Sequence, residues 1–166
     1  MKHLTTSVAF VAVMASGTML GFFFAWYCST LWGLDLLPPE TAISAMNSMN
    51  SIVRNASFAP LFFGTPIYLA ISAAFAFSTG NQPSAILFFV AAIIYVAGCF
   101  LLTATINVPM NEAHGLINPD VVENPSEIWS TYSHNWQFWN VVRMLFAGLS
   151  FLVGLAGLYL LHRKAH

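Results

Sequence analysis

The sequence predicts an all-α, polytopic membrane protein, a four-transmembrane-helix bundle with a short amphipathic helix in its first outer loop. Three observations predict it. Of 166 residues, 58% are hydrophobic and only 7% charged, against about 25% charged in an ordinary soluble domain. The charges are clustered: no Asp, Glu, Lys or Arg falls between His3 and Asp35, between Arg54 and Glu112, or between Met144 and Leu161. The uncharged stretches also have the lengths that spanning helices need, roughly 20 apolar residues each.

Span 1 is expected from about Ser7 to Trp32. Its apolar run continues through Phe22-Phe23-Phe24 and is too long for the core of a cleaved signal peptide. Gly17 and Gly21 form a small-xxx-small pair that would let another helix approach. The first loop, Gly33 to Ser57, should hold a short helix. Pro38-Pro39-Glu40 is a helix start, and Ala42, Ile43, Ala45, Met46, Met49, Ile52 and Val53 recur at helical spacing.

The middle uncharged stretch is about 57 residues long, enough for two spans and a turn. Span 2 is placed at Phe58 to Phe77 and span 3 at Ser84 to Asn107, on either side of the polar Ser78–Pro83 break. Pro66 and Pro109 should disturb their helices locally. The last loop, Val108 to Gln137, ends in a second start signal: Asn124 as cap, Pro125 as first helical residue, Glu127 in a capping-box position. No proline follows. Span 4, Trp139 to Leu161, is therefore expected to be the inner part of one helix from Pro125 to His162, roughly 55 Å long. The whole chain, residues 1–166, reads as a single domain.

Net charge is −1 and Lys plus Arg number five, so no basic face for nucleic acid is available. Disorder requires the opposite composition. Lys2, Arg163 and Lys164 lie at the termini, whereas Arg54 is the one basic residue of the two large loops. The positive-inside rule then places both termini in the cytoplasm, with a bacterial inner membrane as the expected setting. The expected partners are membrane lipid and an apolar small molecule; a homo-oligomer is compatible with this reading. Cys28 and Cys99 lie inside spans and read as small apolar residues.

The residues that could carry chemistry gather on the last helix. Arg143 lies about one turn into span 4, where a charge is costly. Either it snorkels to the surface, or it faces the bundle and holds an anionic or carbonyl group. At 100° per residue, Trp129, Tyr132, Trp136, Trp139, Asn140 and Arg143 share an arc of roughly 120°. An interfacial aromatic belt explains the rings, but not Asn140 and Arg143 on the same arc. His134 falls on the opposite side of that helix. Asn47 and Asn50 share a face of the first-loop helix, and Asn107 and Asn111, four apart around Pro109, form a polar patch at the outer end of the bundle. They either cap loop backbone or donate to a ligand. Glu112, His114 and His134 show no ligand motif; neither a metal nor a cofactor is expected.

The chain resembles the anthrone oxygenase-like membrane proteins. The resemblance rests on Gly21-Phe22-Phe23-Phe24-Ala25, Leu37-Pro38-Pro39 with Ala45-Met46 and Met49-Asn50, and Phe62-Phe63-Gly64-Thr65. Asn107-Val108-Pro109-Met110-Asn111, then Trp129, Tyr132, Trp136, Trp139-Asn140 and Arg143, complete it. It implies a four-helix membrane fold and oxidation of an anthrone to an anthraquinone by O₂ without a cofactor. Many relatives carry Asn-His-Val-Arg in the last motif; here it is Asn140-Val141-Val142-Arg143, so that histidine is missing. Under this reading Arg143, Asn140, Asn107 and Asn50 are donors to a developing oxyanion, with Asn111 beside them. Trp136, Trp139, Tyr132 and Trp129 would stack on a flat polycycle. The base is left to His134, Glu112 or solvent. Two alternatives stand beside the enzyme: a non-catalytic membrane protein holding a lipid or quinol on the same face, and an assembly subunit anchored through Arg143.

Overall fold

A computed structural model describes residues 2–163; Lys164 and the side chain of Lys2, both used above for orientation, lie outside what is described. Among the described residues there is no strand. Four helical stretches are long and apolar enough to span a membrane: His3–Asp35, Ala59–Ser78, Gln82–Gly115 and Pro125–Arg163.

Span 1 comprises α1 (Lys2–Ala25), a π-helical turn (Trp26–Thr30) and α2 (Leu31–Asp35). The first loop folds into α3 (Pro39–Ile52), with Pro39 in its first turn. Span 2 is α4 (Ala59–Phe62) and α5 (Gly64–Ser78). Span 3 is α6 (Gln82–Tyr95), two π-helical turns (Val96–Leu101 and Thr103–Asn107) and α7 (Val108–Gly115). Span 4 is α8, 39 residues without a break from Pro125 to Arg163.

The spans form a ring in which α1 packs on α5 and α8, and α6 packs on the same two helices. Lipid is as apolar as leucine, so close packing rather than water exclusion must hold such helices together. The core accordingly uses small residues: Ala9, Ala12, Ala73, Ala76, Ala85 and Ala91 surround Leu69 and Phe88. Ser150 Oγ donates across the interface to the Ala91 carbonyl at 2.9 Å. Gly98 leaves room for the Phe146 ring, which a Cβ there would meet at 1.9 Å. Of the Gly17/Gly21 pair, Gly17 approaches Phe151, whereas nothing lies within 4 Å of a Cβ at Gly21. The predicted close-approach motif is thus half used. Phe10, Phe77, Phe89 and Leu152 point outward, as a lipid-facing surface requires.

Pro66 breaks span 2 as expected, at Phe63. In an unbroken helix the residue-66 amide would serve the Phe62 carbonyl. Proline has no N–H, and Tyr95 donates its hydroxyl to that carbonyl instead, at 3.2 Å. Pro109 does not end span 3; it falls in the first turn of α7, directly after the second π-helical turn.

The two large loops pack on each other at one end of the bundle, the loop end. Leu31, Leu34, Ile43 and Met46 meet Trp129, Tyr132 and Trp136 there. Asp35 ties the end of span 1 to α8. Its carboxylate accepts from Trp129 Nε1 at 3.0 Å, Ser133 Oγ at 2.7 Å and Gln137 Nε2 at 2.9 Å.

Candidate functional site

Beneath this cap lies a cavity of about 410 Å³, within the range of small-molecule sites. Phe22, Phe23, Trp26, Phe58, Phe62 and Phe100 contribute its aromatic walls. Asn47, Asn50, Thr103, Asn107, Asn111 and Arg143 contribute polar atoms. Every span therefore supplies residues. All three π-helical turns reach the cavity, through Trp26 in span 1 and through Phe100, then Thr103, Ala104 and Asn107, in span 3. Such turns are rare and are used where a side chain must be re-aimed.

Arg143 is only 5% exposed, so it faces the bundle and does not snorkel to the surface. One terminal nitrogen donates to Thr103 Oγ1 and the other to Asn140 Oδ1, each at 3.3 Å. Neither partner is charged. Its Nε, buried, has no hydrogen-bond partner. The guanidinium carbon lies 4.9 Å from the Phe23 ring centre and 5.1 Å from that of Trp136, a cation–π arrangement with both. Asn140 is held by its own donation to the Phe23 carbonyl at 3.0 Å. It orients Arg143 and does not itself line the cavity.

Asn107 is 1% exposed, lines the cavity, and has no partner on either amide atom. A buried unpartnered amide is costly unless something else satisfies it. The polar wall thus presents a free donor, a free acceptor and a cation to whatever fills the space.

Asn50, Asn111 and Tyr132 close a hydrogen-bonded ring. Asn111 Nδ2 donates to Asn50 Oδ1 at 3.0 Å, Asn50 Nδ2 to the Tyr132 oxygen at 3.2 Å, and the Tyr132 hydroxyl to Asn111 Oδ1 at 2.9 Å. Trp136 Nε1 joins at Asn111 Oδ1, 3.1 Å away. This network fixes Trp136, whose ring forms part of the cavity wall. His114 stacks on Tyr132 with ring centres 3.8 Å apart, and its Nδ1 lies 2.7 Å from Asn47 Oδ1.

The sequence-predicted residues therefore divide. Arg143, Asn107, Asn50, Asn111 and Trp136 line the cavity. Tyr132 and Asn140 support them from behind. Trp129 is buried, but its indole is spent on Asp35, outside the cavity. Trp139 is half-buried against Phe138 and does not reach it. His134 is exposed and lies away from the cavity, because α8 runs unbroken through it and keeps it on the far face. Among the described residues no cluster of His, Cys, Asp or Glu is arranged to hold a metal. Thr103, Phe58 and Phe100 also line the cavity; they come from span 3 and the segment just before span 2, are joined to α8 only by the fold, and carry no signal in a helical arc.

The family model for anthrone oxygenase matches residues 56–153, more than half of the chain. No curated protein and no solved structure matches it.

Proposed function

This chain belongs to the anthrone oxygenase family, and we propose that it oxidises an apolar aromatic or quinone-like substrate with O₂ in this cavity, without a cofactor. The observation that carries the reading is a buried guanidinium and a buried, unpartnered amide facing one aromatic-walled space.

The chemistry follows from the substrate class. A CH₂ conjugated through aryl rings to a ketone, as in an anthrone, loses a proton to give an electron-rich enolate whose charge reaches the ketone oxygen. The enolate carbon forms a bond to O₂, and protonation gives a hydroperoxide. Loss of water, with the remaining C–H proton departing and the O–O bond breaking, leaves a new carbonyl. The sum is CH₂ plus O₂ to C=O plus H₂O. Arg143 and Asn107 Nδ2 hold the ketone oxygen as it gains charge, in a site where fixed donors need no reorganisation. Phe22, Phe23, Trp26 and Trp136 hold the ring plane. Glu112, the one carboxylate that lines the cavity among the described residues, is the base. His134 is not assigned that role because of its position.

A second reading is that the same cavity holds a lipid or quinol without turning it over. It is favoured by the exposure of Glu112, which leaves the buried part of the polar wall without a carboxylate. The bundle is oriented with both termini in the cytoplasm and the cavity toward the opposite side, on the distribution of Lys and Arg.

The test is O₂ uptake by detergent-purified protein with a simple anthrone, beside Arg143→Lys and Arg143→Ala. Uptake well above the spontaneous rate, and about 100-fold lower in folded Arg143→Lys, supports the enzyme, because a lysine loses the fork of donors. Uptake equal to buffer in the wild type rejects it.

A further inference from the structure

The cavity has two kinds of rim. At one stand Ser51, Arg54 and Glu112, polar and exposed. At the other stand Phe63, 44% exposed, and Ala104, also exposed, on spans 2 and 3. Spans 2 and 3 pack closely along α5 and α6, near the tight turn that joins them. Toward the loop end they are joined by side chains, among them the Tyr95 hydroxyl on the Phe62 carbonyl. There α4 leans mainly on α1 and α5, while the Thr103–Asn107 turn leans mainly on α7, α8 and the preceding π-helical turn. Ring contacts also join the two spans: Phe100 meets Phe63 edge-on at 5.9 Å and Phe62 at 6.1 Å.

Depth follows from helical rise. Phe63 stands about 22 Å along span 2 from Ser78, inside a hydrocarbon core of about 30 Å. Ala104 stands about 33 Å along span 3 from Gln82, at the edge of that core. Both residues are exposed, so this side of the cavity faces outward where the loop-end leaflet would lie.

We propose that the cavity exchanges its ligand sideways with this leaflet, between Phe63 and Ala104, so that its ligand is a bilayer-dissolved aromatic that enters with its oxygen-bearing edge leading. This rests on the reading that the cavity binds such a molecule. The leading oxygen meets Asn107 and Arg143, which have free polar atoms to satisfy. The trailing apolar edge stays among Phe58, Phe62 and Phe100. The Phe63 and Phe100 rings, which meet edge-on between the two spans, must turn aside for passage. The polar rim would instead bring an apolar molecule past Arg54 and Glu112, with loss of their hydration.

The experiment uses the full chain in phosphatidylcholine vesicles. Anthraquinone is delivered in the bilayer, and the saturable quenching of tryptophan fluorescence is followed, since Trp26 and Trp136 line the cavity. Ala104→Phe should slow the approach to saturation more than tenfold, and Ser51→Phe should leave it within twofold. If Ser51→Phe slows it and Ala104→Phe does not, the lateral route is overturned while ligand binding stands. If the wild type shows no saturable quenching, both the binding reading and this proposal fall. A second measurement needs no ligand. A bimane label on Ala104→Cys, in a Cys28→Ser background, should be quenched by lipids brominated on the acyl chain and not by aqueous iodide. Quenching by iodide alone would overturn the proposal.

Discussion

The Tyr95 hydroxyl donates to the carbonyl of Phe62, the acceptor that Pro66 is unable to serve. One side chain of span 3 thereby completes the backbone of span 2 beside the cavity. Tyr95→Phe removes the donor and keeps the ring, so a buried carbonyl loses a partner. The expected cost is about 1 kcal/mol, read as a lower unfolding midpoint in detergent. An unchanged midpoint would mean that the carbonyl finds another donor.

Gly98→Ala should be among the most damaging single-methyl changes in the protein. The added carbon would fall 1.9 Å from the Phe146 ring and 2.2 Å from its Cβ, so rotation of the ring alone does not clear it. Spans 3 and 4 must separate, at a cost of about 1–3 kcal/mol. Phe146→Ala should restore part of the loss in the double variant. Thermal unfolding of the four proteins of this cycle measures the coupling.

Asn107→Leu should separate stability from binding. The amide is buried with neither atom paired, so an apolar side chain of similar size removes a desolvation cost. The ligand-free variant should unfold at the same temperature as the wild type or higher. Its saturable quenching by anthraquinone should weaken about tenfold. A lower midpoint would show that Asn107 has a structural partner in the folded protein.

Glu112→Gln should spare binding and stop chemistry. The residue is exposed and lines the rim, so its loss should not unfold the bundle. Anthraquinone quenching should stay within twofold while anthrone-dependent O₂ uptake falls by about 100-fold or more. Full activity in the variant would move the base to solvent.

Much of this architecture was legible because lipid imposes simple rules. Long uncharged runs marked the spans, Pro125 and Glu127 marked the start of α8, and Pro39 with Glu40 marked α3. The helical arc correctly put Trp136 and Arg143 on one face, because α8 is regular throughout. It failed for Trp139, at the margin of that arc, and for Trp129, whose indole is spent on Asp35 beyond the cavity. Three π-helical turns were invisible, since each inserts a residue that a 3.6-residue period does not count. The phenylalanine walls were invisible for another reason. A span that is apolar all round gives no sign of which ring faces lipid and which faces a cavity.

The unbroken course of α8 also sets a depth. Twenty residues separate Arg143 from Arg163, a rise of about 30 Å, and the hydrocarbon slab has about the same thickness. With Arg163 at one water boundary, a nearly upright helix holds the buried Arg143 close to the opposite edge of the slab. A thinner or thicker bilayer must tilt that rod or draw one cation inward. The Arg163 end thus acts as a plumb line for a site most of a membrane thickness away, and the lipid around the protein becomes a variable of any measurement made on that site.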